Sequence, residues 1–256
     1  MSSHILYEQP LNERMRTFLR LEHLMQQLEQ HLQGDTRLDT HGAILTLIEL
    51  FSLSSRGDLK SELMKELERQ IANLSQLEHD PEVDQLRLRT VIEQQRAMIT
   101  KLHGMSGQVG QELKENDFLT AIRQRTAVPG GTCDFDLPMY HFWLNRPVAE
   151  RHAQIRAWSQ PFVQVEEAIA QILQYIRDSA IPESRTAANG FYQQALDSSK
   201  PYQIIRILMP HDAAVYPEIS AGKHRFSVRF LRMPSADQRP AQVNEEVEFL
   251  LACGTL

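Results

Sequence analysis

The chain is poor in the features that announce chemistry. It has two cysteines, Cys133 and Cys253, in 256 residues. Neither sits in a C-x-x-C pair, which excludes a disulfide framework, argues against a thiolate metal site and fits a reducing compartment. No stretch approaches the roughly 20 apolar residues that a membrane-spanning helix needs. The opening MSSHILYEQPLNERMR has no continuous apolar segment, so it does not read as a secretory signal. The ten histidines form no H-x-x-x-H or H-E-x-x-H pair. HDPEVD, residues 79–84, lacks the central glycine of a calcium loop. GMSGQVG, residues 104–110, follows a helical pattern and has no Gly-Lys-Ser/Thr ending. It reads as a joint, not as a phosphate loop or nucleophile elbow. No grouping of Ser, Cys, His and acid has a recognisable signature, so the sequence names no catalytic residue, metal or cofactor.

Excess basic charge is also missing. The net charge is −6, so bulk attraction to nucleic acid or to an acidic membrane is not expected, and such binding would need a local patch. The composition, 42% hydrophobic and 23% charged, is that of a soluble globular protein with a real core. Solubility and a cytoplasmic location are expected.

Periodicity supplies the layout. Leu11, Met15, Phe18, Leu21, Met25, Leu28 and Leu32 recur every three or four residues and predict an amphipathic helix. A second apolar segment runs from 43 to 53. Leu59, Leu63, Leu67, Ile71 and Leu74 mark a third helix with Asp58 as N-cap. After the break at HDPEVD, a fourth helix carries Leu88, Val91, Ile92, Met98, Ile99 and Leu102. The third and fourth read as an antiparallel hairpin. Asn116 caps a short helix that ends before the PGG at 129–131, and further helices are expected around 148–158 and 162–176. Beyond Pro182 the period becomes two, with strand-like runs at 190–195, 202–209, 223–232 and 246–253. The predicted class is α+β: a mainly helical domain over 10–182 and a small antiparallel β domain over 183–256. Residues 3–8 are expected to join the β domain as an N-terminal strand.

One strand stands out. In GKHRFSVRFLR, residues 222–232, Phe226, Val228 and Phe230 fall on one face and Lys223, Arg225, Ser227 and Arg229 on the other. The apolar face belongs in a core. For the basic face, the structural reading is a cross-strand pairing in which Glu246 and Glu248 of the last strand lie opposite the arginines. Lys223, Arg206, Arg232 and His224 would then remain nearby and outnumber them. A nucleic-acid-binding module using the strand 223–232 is the alternative function. It is disfavoured because the aromatic side chains point inward and the chain is acidic. A second basic set, Arg14, Arg16 and Arg20, lies on the first helix, where Arg16 and Arg20 share a face. His141 sits among Tyr140, Phe142 and Trp143. It reads either as a structural histidine capped by a backbone partner or as a ligand-facing group beside aromatic surface.

Taken in order, LYEQPLNERMRTFLRLE at 6–22, RQRTAVPGG at 123–131, FDLPMYHFWL at 135–144, NGFYQ at 189–193, and VYPEIS with KHRFSVRF at 215–230 resemble the ZapD family. The resemblance covers nearly the whole chain. It implies a non-enzymatic, cytoplasmic homodimer with a helical and a β domain. It further implies binding to the short C-terminal tail of FtsZ and cross-linking of FtsZ filaments into bundles at the division septum. Neither nucleic acid nor membrane is implied as a partner. Binding in the family depends on basic surface residues. The matching positions here are Arg20, Arg56 in SSRGD, His141, Arg225 and Arg229, with Arg123, Arg125 and Lys223 as secondary candidates.

Overall fold

A computed structural model describes residues 4–55, 57–222, 224–233, 235 and 237–255. The fold is α+β. The described residues divide into two compact units, one drawn from 1–16 and 173–256 and the other from 17–172. The division falls within the first helix, α1 (Glu13–His31), and within the last, α9 (Val163–Asp178).

The 17–172 unit is helical. Phe18, Leu21, Met25 and Leu28 line the buried side of α1, as the spacing predicts, and Leu32 just beyond its end is buried too. The next helix, α2 (Arg37–Ser54), starts at a capping box. Asp39 N–H donates to the Thr36 hydroxyl at 3.1 Å, and Thr36 N–H donates back to the Asp39 carboxylate at 3.1 Å. These bonds satisfy donors that a helix start leaves open. Helices α3 (Leu59–Ser75) and α4 (Gln85–Gly104) are capped by Asp58 and Asp84 and pack against each other as a hairpin. A buried polar seam runs through the packing: Gln95 donates to Gln70 at 2.9 Å, and Gln70 donates to the Ile172 carbonyl of α9 at 3.1 Å. The chain continues through a single turn, α5 (Gln111–Lys114), then α6 (Asp117–Thr126), α7 (Pro138–Leu144) and α8 (Val148–Ser159).

The other unit is a sandwich of two antiparallel sheets. Strand β1 (His4–Pro10) pairs with β4 (Tyr202–Pro210), which pairs with β8 (Val247–Thr255), which pairs with β2 (Glu183–Ala187). The second sheet runs β3 (Phe191–Ala195), β6 (Arg225–Arg232), β5 (Tyr216–Ala221), with β7 (Ala241–Gln242) also on β6. The N-terminal strand therefore does join the C-terminal sheet. Ile205, Ile207 and Met209 of β4 and Phe249 and Leu251 of β8 share one core with Phe226, Val228 and Phe230 of β6. Phe230 and Phe249 meet at 5.0 Å between ring centres. The turn that carries the chain from β2 to β3 holds Asn189 at φ 52° and Gly190 at φ 65°. A Cβ on Gly190 would lie 2.4 Å from the Val243 carbonyl oxygen, so the NG of NGFYQ is required by both backbone angle and space.

One expectation is overturned here. The last strand, β8, does not pair with β6: they lie in different sheets, so Glu246 and Glu248 are not across the ladder from the β6 arginines. Arg206 also leaves the basic group. It sits on β4 and pairs with Glu8 of β1 at 3.2 Å, and the same carboxylate takes two bonds from Arg177, at 2.9 and 2.7 Å.

Candidate partner-binding surfaces

The outward face of β6 carries Arg225, Ser227 and Arg229, because alternate side chains leave the core. The ladder fixes their neighbours. Arg225 stands opposite Ala195 of β3, Ser227 lies between Gln193 of β3 and Ser220 of β5, and Arg229 lies between Phe191 of β3 and Glu218 of β5. Both arginines are exposed. Their electrostatics differ. Arg229 is ion-paired with Glu218, directly across the ladder. Arg225 makes no ion pair among the described residues. Beside it, Gln193, Ser220, Gly222 and Ser227 help to line a shallow depression of about 320 Å³. Arg232, at the end of the strand, pairs with Glu245. Lys223 lies outside the described residues. Among the described residues the face thus offers one guanidinium without an ion pair, a row of hydroxyl and amide groups, and one guanidinium that already holds a carboxylate.

The candidates of the helical unit occupy separate elements. Arg20 is exposed on α1 and has no ion pair among the described residues. Arg16, one turn earlier, is held by Glu13 at 3.1 Å. Arg56 lies outside the described residues. Arg123 and Arg125 are exposed in the last turn of α6, where positive charge is favoured by the helix dipole. Arg123 lies over the Phe51 ring at 5.9 Å, and Arg125 pairs with Asp136 at 3.5 Å. Both therefore have structural work to do.

His141 lies on α7, and the backbone-capped reading of its side chain does not hold. The residue is exposed, and what bonds at this position is its own carbonyl, which accepts from Asn145 Nδ2 at 2.8 Å. The aromatic residues around it split by face. Tyr140 and Trp143 are buried, packed with Phe118 and Trp158. Phe142 is 67% exposed, and Met139 and Phe135 are 50% and 83% exposed. Of the three aromatic neighbours of His141, only Phe142 is available for apolar contact. Beneath this surface Tyr140 OH and His41 Nδ1 are 2.8 Å apart. Burial holds the His41 imidazole below the usual histidine range and pushes the Tyr140 phenol up.

Sequence reasoning missed Glu218, Phe135 and Met139. The glutamate stood in view in VYPEIS, but only the strand register shows which arginine it faces. Among the described residues no group of His, Cys, Asp and Glu could hold a metal ion, and no helix is long and apolar enough to cross a membrane.

The model of the ZapD family, described as a cell division protein, matches residues 19–229. The chain belongs to the ZapD family. It is 44% identical to the cell division protein ZapD of Methylococcus capsulatus over 251 residues, 98% of each chain. Similarity to the protein of that name from Azoarcus sp. is 40% identity over 252 residues, 98% of this chain and all of the relative. With the one from Coxiella burnetii it shares 39% over 254 residues, 99% of this chain and 98% of the relative. Membership therefore extends over both the helical unit and the sandwich. The β6 face falls inside the matched region except for its last residues.

Proposed function

We propose that this protein is a non-enzymatic cell-division regulator that binds the C-terminal tail of FtsZ and, as a homodimer, cross-links FtsZ filaments into bundles in the cytoplasm at the division septum. The observation that carries the reading is Arg225, an exposed guanidinium on a sheet face with no internal counter-ion among the described residues. Family membership supplies the cell-division context, and the resemblance in sequence supplies the partner. A flexible tail loses conformational freedom on binding, so it needs several contacts to be held. Guanidinium groups contact carboxylates in a bidentate manner. The helical unit carries a separate set of exposed groups, Arg20, His141 and Phe142, which offers cationic, polar and apolar contacts of its own. A two-fold dimer presents each site twice, and avidity along a filament then offsets weak single-site affinity.

Co-sedimentation with polymerised FtsZ tests the reading. The protein should pellet with filaments and lose this on deletion of the FtsZ tail. No enrichment, or enrichment indifferent to the tail, sinks the proposal. Arg225→Glu is the cleanest variant, because no described residue relies on Arg225 for an ion pair. It should weaken tail binding about tenfold or more, the loss of one charge-assisted contact, with an unchanged thermal transition and dimer. Arg229→Glu would also set two acids face to face across the β5–β6 ladder, so loss of binding there is read only alongside stability.

A further inference from the structure

The two β6 arginines are not equivalent, and the inequality is built into the ladder. Arg229 and Glu218 are direct cross-strand partners on the solvent face, with side chains 55% and 52% exposed. An exposed pair of this kind is held weakly and can be displaced. Arg225 is on the same face, four residues along the strand, which at about 3.3 Å per residue puts the two Cα atoms roughly 13 Å apart. Between them lie Gln193, Ser220 and Ser227, in register across three strands. These groups can donate to and accept from an extended backbone.

We infer that Glu218 is an internal stand-in for a ligand carboxylate, and that the β6 face takes an extended acidic segment whose two acidic groups lie about four residues apart. This rests on the proposed reading of the same face as the site for an acidic tail. One ligand carboxylate docks on Arg225, which holds no acid among the described residues. The second reaches Arg229 only by displacing Glu218. The displaced glutamate then repels the incoming acid. Glu218 thus lowers affinity for a segment whose second acid is spaced to reach Arg229, while a segment with a single acid or adjacent acids, held at Arg225, is little affected. It is an affinity-setting residue that makes no favourable contact with the ligand.

The test uses the full chain and two synthetic probes: a capped peptide with two glutamates separated by three glycine or serine residues, and an isomer with adjacent glutamates. Binding is read by NMR titration at low ionic strength. Glu218→Gln should tighten the spaced probe about two- to fivefold, the worth of an exposed pair, and leave the adjacent isomer nearly unchanged. Adding Arg229→Ala should abolish the gain. Equal affinity of Glu218→Gln and the parent, a gain that survives Arg229→Ala, an equal gain for both isomers, or no binding of the spaced probe overturns the inference. The FtsZ tail peptide is titrated in parallel. If the spaced probe behaves as stated and the tail does not bind, the FtsZ reading falls and the role of Glu218 stands.

Discussion

At the scale of single residues, the helical unit depends on groups that do not advertise themselves. Arg151 is only 4% exposed. Its guanidinium donates to the carbonyls of Asp35, Thr36 and Arg146 and to the Thr40 hydroxyl, tying α8 to the start of α2. Replacing it by methionine leaves those acceptors in a closed space. Arg151→Met should lower unfolding stability by about 2–4 kcal/mol in urea titration. His41 adds a pH dependence. Its folded pKa lies below the unfolded value of about 6.5 because burial disfavours the charged ring. The unfolded chain therefore binds the extra proton first. The contribution of neutral His41 is fully present above about pH 6.5 and is lost as pH falls from there through the folded pKa. Denaturation at several pH values across this window should show stability falling with pH, and His41→Gln should flatten that slope. At the other end of the scale, burial pushes the Cys253 thiol up to about 11. At mildly alkaline pH its thiolate is scarce, so thiol reagents should label it roughly a hundredfold more slowly than an unshifted cysteine.

At the scale of elements, capping and periodicity carried most of the signal. Asp58 and Asn116, both legible as caps, close α3 and α6 through their side chains, and Asp84, read only as part of a break, caps α4. Asp84 accepts from Leu86 N–H at 3.0 Å and Arg87 N–H at 3.1 Å, and Asp84→Ala should cost about 1 kcal/mol in the same urea titration. The apolar faces of α1, α3 and α4 were legible because each repeats for several turns. What stayed hidden lacked repetition or depended on partners distant in sequence. Helix α7 spans two turns, too short for a period to declare itself. Strand β5 contains Pro217, which weakens a strand assignment and is tolerated here because β5 is an edge. Pairing was the least legible property. Two alternating runs with opposite charges, β6 and β8, look like natural partners, but sheet membership is decided by how the inward faces pack. Each run gives its apolar face to the shared core from the opposite sheet. The arginines on β6 were therefore visible in the sequence, while the acid that screens one of them was not.

At the scale of the whole molecule, the electrostatics are local. A chain of net charge −6 repels an acidic partner from afar and attracts it only near the cationic positions. Attraction that short-ranged is still screened, since the Debye length is about 10 Å at 0.1 M salt. Tail binding and bundling should both weaken as salt rises through the physiological range. Bundling should fall first, because it requires two sites to be occupied together. Sedimentation of filaments across a salt series, beside titration of the tail peptide, separates the two curves.

Strand β1 has a consequence for how the molecule is made. Its only strand partner among the described residues, β4, begins at Tyr202. At about 5–20 residues per second, roughly ten to forty seconds pass between synthesis of the two. During that time β1 leaves the ribosome with its hydrogen-bonding edge unmatched, and Glu8 has neither Arg177 nor Arg206 to bind. The helical residues 17–172 are complete before the sandwich can close. The sheet is therefore assembled last, around a strand that was synthesised before the helices.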